Sequence, residues 1–325
     1  MEDRFPPRLT ALATTQLPLS RNELDRDYLA RGRDDLFEVL MAQSETRVLT
    51  LWKRTALMAG DSLALLSVRD LPAAATSSAE VLVYLGRTIT DSDDVPGGTP
   101  IVAAVVSDAV ADLLDDGPES WGDLRRIAGR LSDRDAGLLT QAVAMANWHD
   151  SHRFSPQTGE PLVVTQGGWT RVDSRGEVFP RTDPAVIVAV IDDDDRILLG
   201  TNSQWEANRY SLLAGFVEAG ESLEAAVARE VFEESGVRVV DPVYLGSQPW
   251  PFPASLMLGF TARVDPGRES TLAPDGDEIL ALRWFSRDEL RAALGEITLP
   301  GHSSIARAIL EQWYGGPIEP GGDAA

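Results

Sequence analysis

The sequence predicts an α+β protein of two domains, on three observations. The chain has 325 residues, which is room for two ordinary domains. Apolar residues make up 43% of it, enough for each domain to bury a core. Short apolar runs broken by Gly, Asp and Ser read as strands, and they are interspersed with segments whose apolar residues recur every three or four positions, as on helices.

In chain order, residues 1 to about 25 start Pro-rich and polar and read as an irregular lead-in. Residues 47–52, 62–68, 80–85 and 100–106 are the strand-like runs of a first domain, residues 1–120. Residues 110–114 read as helix, as do 121–148, where Leu124, Ile127, Ala128, Leu131, Leu138, Leu139, Ala142 and Met145 hold the helical spacing. Residues 149–180 carry Gly159, Gly167, Gly168 and Gly176 and show neither period. Together with the helix they form a segment, 121–180, expected to end in a loop-rich connector. A second domain, 181–316, opens on the apolar strand 185–191, turns at the four aspartates 192–195 and returns along 196–200. The four aspartates suit a solvated hairpin tip. Residues 317–325 are expected to be a disordered tail.

Composition excludes several function classes. Cysteine is absent, so disulfides, a thiolate nucleophile and a cysteine zinc site are excluded. The start, MEDRFPPRLT, lacks the basic flank and apolar run of a secretory signal, and no run reaches the eighteen apolar residues of a spanning helix. A cytoplasmic location is the expectation. A net charge of -22 repels nucleic acid at long range, so an anionic substrate calls for divalent cations or a local basic patch, and the balance favours a metal-dependent site.

Chemistry concentrates in residues 215–237, GFVEAGESLEAAVAREVFEESGV. Ser222 suits an N-cap, Glu224 the first turn of a helix, and Gly236 its C-terminal stop. Leu223, Val227 and Val231 form a buried stripe, while Glu230, Glu233 and Glu234 share a face despite their mutual repulsion. Arg229 is placed to orient one of them. Hard oxygen ligands in this grouping suit Mg²⁺ or Mn²⁺ bridged to a pyrophosphate. Further on, SQPWPFPAS (247–255) holds three prolines that preclude helix and predict a stiff loop presenting Gln248 and Trp250, an amide and a ring suited to reading and stacking on a base.

Every fixed position of the first stretch, from Gly215 through Glu221, Arg229-Glu230 and Glu233-Glu234 to Gly236, is similar to the Nudix signature. With SQPWPFP and a following serine downstream, the chain resembles the NADH pyrophosphatase branch of the Nudix hydrolases. That resemblance covers residues 121–314 well and the first domain loosely. It implies a Nudix-type α/β/α sandwich preceded by a degenerate Nudix-like domain. It also implies metal-dependent hydrolysis of NAD(H) to nicotinamide mononucleotide and AMP, and removal of NAD caps from RNA. It further implies Mg²⁺ or Mn²⁺ at Glu230, Glu233, Glu234, Glu278 and the carbonyl of Ala214, with Glu233 or Glu234 as the catalytic base. Substrate contacts are implied at Phe179, Phe216, Gln248, Pro249, Trp250, Pro251, Phe252, Pro253, Ala254, Ser255 and Ala306, in a homodimer.

Two departures stand out. Ala254 occupies the substrate-loop position that is usually glutamine. The four-cysteine zinc ribbon of the branch is also missing: Ser155 and Thr158 stand at its first pair and the second, near 172–176, is gone. No structural zinc is expected, although the ribbon's chain path should survive. His149 and His152 are read as ordinary polar residues at a helix end, and His302 as a loop residue near the pocket rather than a catalytic base. An RNA body would need a basic path, for which Arg125, Arg126, Arg130 and Arg134 are the nearest residues. A noncatalytic nucleotide sensor on the same scaffold is the alternative class, at odds with a full set of box carboxylates.

Overall fold

The computed structural model describes residues 9–319, apart from 93, 94, 116, 118, 119, 269 and 270. The chain divides into two compact units. One comprises Leu19–Thr182 with Pro249–Ala254; the other comprises Asp183–Gln248 and the stretch from Ser255 onward, joined by the segment that ends at Pro18. The lead-in is therefore split at residue 18. Leu12 and Leu17 are buried in the core of the second unit, and the Leu12 N–H donates to the Leu245 carbonyl at 2.6 Å.

The second unit is built on Asp183–Ile191. Its apolar run sits between two cores: Ile187, Ala189 and Ile191 enter one, while Val186, Val188 and Val190 enter the other. A strand buried on both faces needs no polar alternation, which is why it reads as a continuous apolar run. The first face is covered by Arg287–Ala293 and Ile305–Tyr314, the second by Leu223–Ser235, giving the expected α/β/α sandwich. The sheet order is Val239–Trp250, Ser255–Val264, Asp183–Ile191, Ile197–Asn202, Ile279–Phe285, with Leu213–Phe216 also against the central strand. Asp183–Ile191 and Ser255–Val264 run parallel.

The first unit repeats this plan in reduced form. Its sheet also holds one parallel pair, Arg47–Trp52 with Pro100–Val105. As in the second unit, the following strand, Thr55–Ala59, pairs with a late one, Trp121–Asp123, and a short strand, Leu65–Ser67, returns antiparallel to the first. The helix that comes next is only Ala74–Ser77, four residues without a carboxylate, where the second unit has the thirteen of Leu223–Ser235. This internal repeat is topological and has no counterpart visible in the sequence.

The predicted helix 121–148 resolves into Trp121–Asp123 as strand, then Leu124–Ile127 and Asp133–Ser151 as helices. The longer helix is buried along most of its length, contributing Leu138, Leu139, Ala142, Val143, Met145 and Trp148 to the core of the first unit. It belongs to that unit and not to a separate segment.

Residues 149–180 are more ordered than a loop. Val163–Thr165, Thr170–Asp173 and Gly176–Val178 form a three-stranded antiparallel ribbon. At its base, hydroxyls and carboxylates tie two turns together. Thr158 Oγ1 donates to Asp173 at 3.3 Å, Ser174 Oγ donates to Glu160 at 2.7 Å, and Ser155 Oγ accepts from the N–H groups of Gln157 and Thr158. These bonds lie where the resemblance places the ribbon's cysteine pairs.

His149 is buried at the helix end as a neutral ring. Nε2–H donates to the Gly168 carbonyl at 2.7 Å, and Nδ1 accepts from Arg171 Nε at 2.9 Å. Burial lowers its pKa from 6.5 to about 4, opposed by the Gly168 carbonyl and assisted by Arg171. The unfolded chain therefore binds a proton below pH 6.5 that the folded chain refuses until about pH 4. Stability falls as pH drops through that window, by roughly 3 kcal/mol at most from this group. Urea midpoints followed against pH should show His149→Gln with a shallower acid loss than the parent; parallel curves would remove His149 as the source.

The expected disordered tail is contradicted at its first residues. Ile318 is 1% exposed, its N–H donates to Glu311 at 3.2 Å, and its carbonyl accepts from Arg307. An isolated apolar residue three positions beyond a Gly-capped helix has no periodic signal to set it apart from a tail. Residues 320–325 lie outside the described residues.

Candidate active site

Leu223–Ser235 begins at Ser222, whose Oγ accepts the N–H of Ala225 at 3.2 Å, and stops at Gly236 with a left-handed φ of 71°. Val227 and Val231 face the core, and Glu234 continues their stripe at the next helical step. The three carboxylates are therefore graded in burial. Glu234 is 5% exposed and the Glu230 side chain 14%, whereas the Glu233 side chain is 57% exposed.

Arg229 organises this face, binding three carboxylates where one was expected. It holds Glu221 with two parallel bonds, Nε to Oε1 at 2.9 Å and Nη2 to Oε2 at 2.8 Å. Its Nη1 reaches Glu230 at 2.8 Å and Glu233 at 2.9 Å, and Nη2 also donates to the Phe216 carbonyl at 2.9 Å. The guanidinium is held charged, first by the bonds to Glu221.

Glu234 is the unusual group. Its Oε2 is buried and has no hydrogen-bond partner. Burial, followed by the charges of Glu230 and Glu278, pushes its carboxyl up to about 8, against the opposing N–H of Ala214. Glu230 is also raised, by burial first, with Arg229 pulling the other way. An unpaired carboxylate oxygen inside a cluster of acids is costly unless a cation completes it.

The remaining residues arrive from the sheet. Ala214 and Gly215 lie on Leu213–Phe216, paired to Ile187 and Val186 of the central strand. Gly215 is a close-approach position: a Cβ there would sit 2.1 Å from the Glu230 carboxyl carbon. Glu278 is held by a local cradle that sequence reasoning missed. Asp275 Oδ1 accepts the N–H groups of Asp277, Glu278 and Ile279 at 2.8–2.9 Å, and Asn202 Nδ2 donates to Glu278 Oε1 at 3.2 Å. The Asp-x-x-Glu pattern of a turn was the available signal.

Among the described residues, no three His, Asp or Glu side chains already stand at metal-ligand spacing. The donor set nonetheless fits a hard divalent cation: all its ligands are oxygen, and the buried Oε2 of Glu234 lacks a partner.

The proline-rich stretch differs from the expected stiff presenting loop. Strand continues to Trp250 and resumes at Ser255, so only four residues turn. Gln248 is fully buried and donates Nε2 to the Ser303 carbonyl at 3.0 Å, so its amide is not displayed for reading a base. Trp250 and Phe252 pack edge to face, 5.0 Å apart, against the core of the first unit. Arg125 lies over Phe252 at 4.1 Å, and Asn147 Nδ2 donates to the carbonyls of Pro251 at 2.7 Å and Pro253 at 3.1 Å. Asn147 gave no signal in the sequence because a single buried amide has no pattern.

Of the other expected contacts, Phe179 and Phe216 are exposed, at 63% and 58%, and Ala306 is buried at the start of Ile305–Tyr314. Phe179 and Pro249–Ala254 belong to the first unit, the box residues to the second. Arg125, Arg126, Arg130 and Arg134 do not form a free basic stripe: Arg134 is buried beside Asp135 at 2.7 Å, and Arg130 lies 3.7 Å from Asp61. His302 is exposed. Among the described residues no helix is long and apolar enough to cross a membrane.

Residues 181–306 match the NUDIX domain model, and residues 45–148 match the NADH pyrophosphatase-like rudimentary NUDIX domain. The chain is 46% identical over 244 residues to the NAD-capped RNA hydrolase NudC of Mycobacterium bovis (strain BCG / Pasteur 1173P2), covering 71% of this chain and 74% of that protein. It is 40% identical over 184 residues to the NAD-capped RNA hydrolase NudC of Salmonella paratyphi C (strain RKS4594), covering 55% and 68%. A solved NUDIX hydrolase from Nitrosomonas europaea aligns over 51% of this chain and 94% of its own, at 24% identity and a TM-score of 0.38. The chain belongs to the Nudix hydrolases, in their NADH pyrophosphatase branch, as a member without the zinc-ribbon cysteines.

Proposed function

We propose that this hydrolase cleaves the pyrophosphate of NAD(H) into nicotinamide mononucleotide and AMP, and that NAD caps on RNA enter the same site. The observation that carries the reading is the buried, unpartnered oxygen of Glu234, set among Glu230, Glu278 and the strand bearing Ala214. The relatives' activity on NAD-capped RNA supports the choice of substrate. Glu230, Glu233, Glu234, Glu278 and the Ala214 carbonyl would hold Mg²⁺ or Mn²⁺. When bound, the cation neutralises the pyrophosphate and lowers the pKa of water.

The chain's own residues do the rest. Arg229 fixes the directions of Glu230 and Glu233 while Glu221 anchors the guanidinium. Water forms a bond to one phosphorus, the bridging P–O bond breaks towards the other phosphate, and Glu233 or Glu234 accepts the proton. The family pattern assigns substrate contacts to Phe179, Phe216, Ala306 and the segment 249–255, and the rings of Phe179 and Phe216 are exposed, as such contacts require. Gln248 acts in this reading by holding the Ser303 turn. We place the enzyme in the cytoplasm as a homodimer, a state that sedimentation measures directly.

Incubation with NADH should give AMP and reduced nicotinamide mononucleotide with Mg²⁺ or Mn²⁺ and neither with EDTA. Absence of both products with either metal sinks the assignment, and comparing free NAD with a capped transcript ranks the substrates.

A further inference from the structure

The turn Pro249–Ala254 is short of hydrogen-bond donors. Pro249, Pro251 and Pro253 carry no N–H, so half of its residues offer the backbone an acceptor only. Of the N–H groups that remain, that of Phe252 is spent on the Trp250 carbonyl at 2.7 Å. Carbonyls that such a segment buries need a donor from elsewhere in the fold.

Asn147 supplies it. The residue lies near the end of the helix Asp133–Ser151 and is 6% exposed. Its Nδ2 donates to the Pro251 carbonyl at 2.7 Å and to the Pro253 carbonyl at 3.1 Å, so the two bonds bracket Phe252. A side-chain amide is suited to this because it carries two donors on one nitrogen. The other half of the amide, Oδ1, is buried with no hydrogen-bond partner. An unmet acceptor disfavours asparagine there, and asparagine is a poorer helix former than leucine, so the helix itself does not call for it. Its effect is on the turn. Arg125 acts on the same turn, its guanidinium lying over Phe252 at 4.1 Å and Trp250 at 5.7 Å, while both rings pack against the core of the first unit. Asn147, Arg125 and Pro249–Ala254 all belong to that unit, in which the four residues of Ala74–Ser77 carry no carboxylate.

We infer that Asn147 is a positioning residue for the substrate. It holds the Pro249–Ala254 turn in the shape that receives the nucleotide, and this is what the unit without a catalytic box contributes to the reaction. The inference rests on the reading of segment 249–255 as substrate contacts. A turn already held in place loses little freedom when substrate binds, so releasing it weakens binding. Releasing it leaves Glu230, Glu233 and Glu234 on Leu223–Ser235, in the second unit, as they were. The effect therefore falls on KM and not on kcat.

Asn147→Leu and Asn147→Asp test this in the full chain, with NADH and saturating Mg²⁺. Leucine fills the space with a good helix former, aspartate keeps the shape, and both remove the donor. Each variant should raise KM for NADH about tenfold or more, with kcat within about threefold of the parent and the half-saturating Mg²⁺ concentration unchanged. Without substrate, amide exchange should quicken in peptides covering residues 250–255 and match the parent across 223–235. Unchanged KM in both variants, a fall in kcat at constant KM, or a shifted Mg²⁺ requirement would each overturn the inference. Failure of both variants to fold would overturn it as well, by making Asn147 a structural residue alone. A parent that releases no AMP from NADH fails the substrate reading, whereas unchanged KM beside an active parent fails the inference only.

Discussion

Glu234→Gln should lower kcat for NADH hydrolysis by about 10²–10⁴-fold while leaving the melting temperature unchanged or slightly raised. Glu234 occupies a position in the apolar stripe with Val227 and Val231, and it is almost fully buried. Glutamine has the same shape and keeps the acceptor that faces the Ala214 N–H, so packing is preserved. It also removes a charge from beside Glu230 and Glu278, whose fields and whose burial already disfavour a carboxylate there. Stability therefore has nothing to lose, whereas an amide is a poor ligand for a hard cation and a poor base. Glu233→Gln separates the two roles from the other side, since Glu233 is exposed and its ion pair with Arg229 lies at the surface. Purified Glu234→Gln that kept more than a tenth of parental kcat would remove Glu234 from the chemistry.

The contrast between those two glutamates shows what was legible in the sequence. Spacing put Glu230, Glu233 and Glu234 on one helical face, and the helix with its Ser222 cap and Gly236 stop is where spacing placed it. The burial gradient across that face was not legible, because it depends on which turn of the helix meets the sheet. The all-apolar strand before the four aspartates was legible as a strand, and its burial on both faces comes from the two cores it separates. Its homologue in the first unit was not, since repeated topology needs no repeated residues and the four-residue Ala74–Ser77 carries no trace of a catalytic box. Gln248 departs from its expected exposure for a related reason. A polar side chain in a Pro-rich stretch looks displayed until the neighbouring turn at Ser303 is seen to need a donor. Long-range pairings such as Asn147 with Pro251, 104 residues apart, leave no local pattern at all.

Gly215→Ala should cut kcat/KM by about 100-fold and barely move the melting temperature, whereas Gly220→Ala should do the reverse. The two glycines stand five residues apart in the box for different physical reasons. Gly220 has a left-handed φ of 88°, and a Cβ there would meet nothing within 4 Å. An alanine at 220 is therefore strained by about 1–2 kcal/mol in its backbone but displaces no neighbour. Gly215 lies in a strand, paired to Val186, where alanine fits the backbone without strain. Its difficulty is spatial: the added carbon would lie 2.1–2.3 Å from all three atoms of the Glu230 carboxyl group. That side chain is flexible, so the clash is relieved by moving it rather than by unfolding the strand. The Glu230 carboxylate would leave Arg229 and whatever cation it serves, by a distance larger than a ligand bond tolerates. Measured together, kcat/KM and melting temperature for the pair separate close approach from dihedral freedom. Full activity in Gly215→Ala would mean that the cation does not depend on Glu230 where the structure puts it.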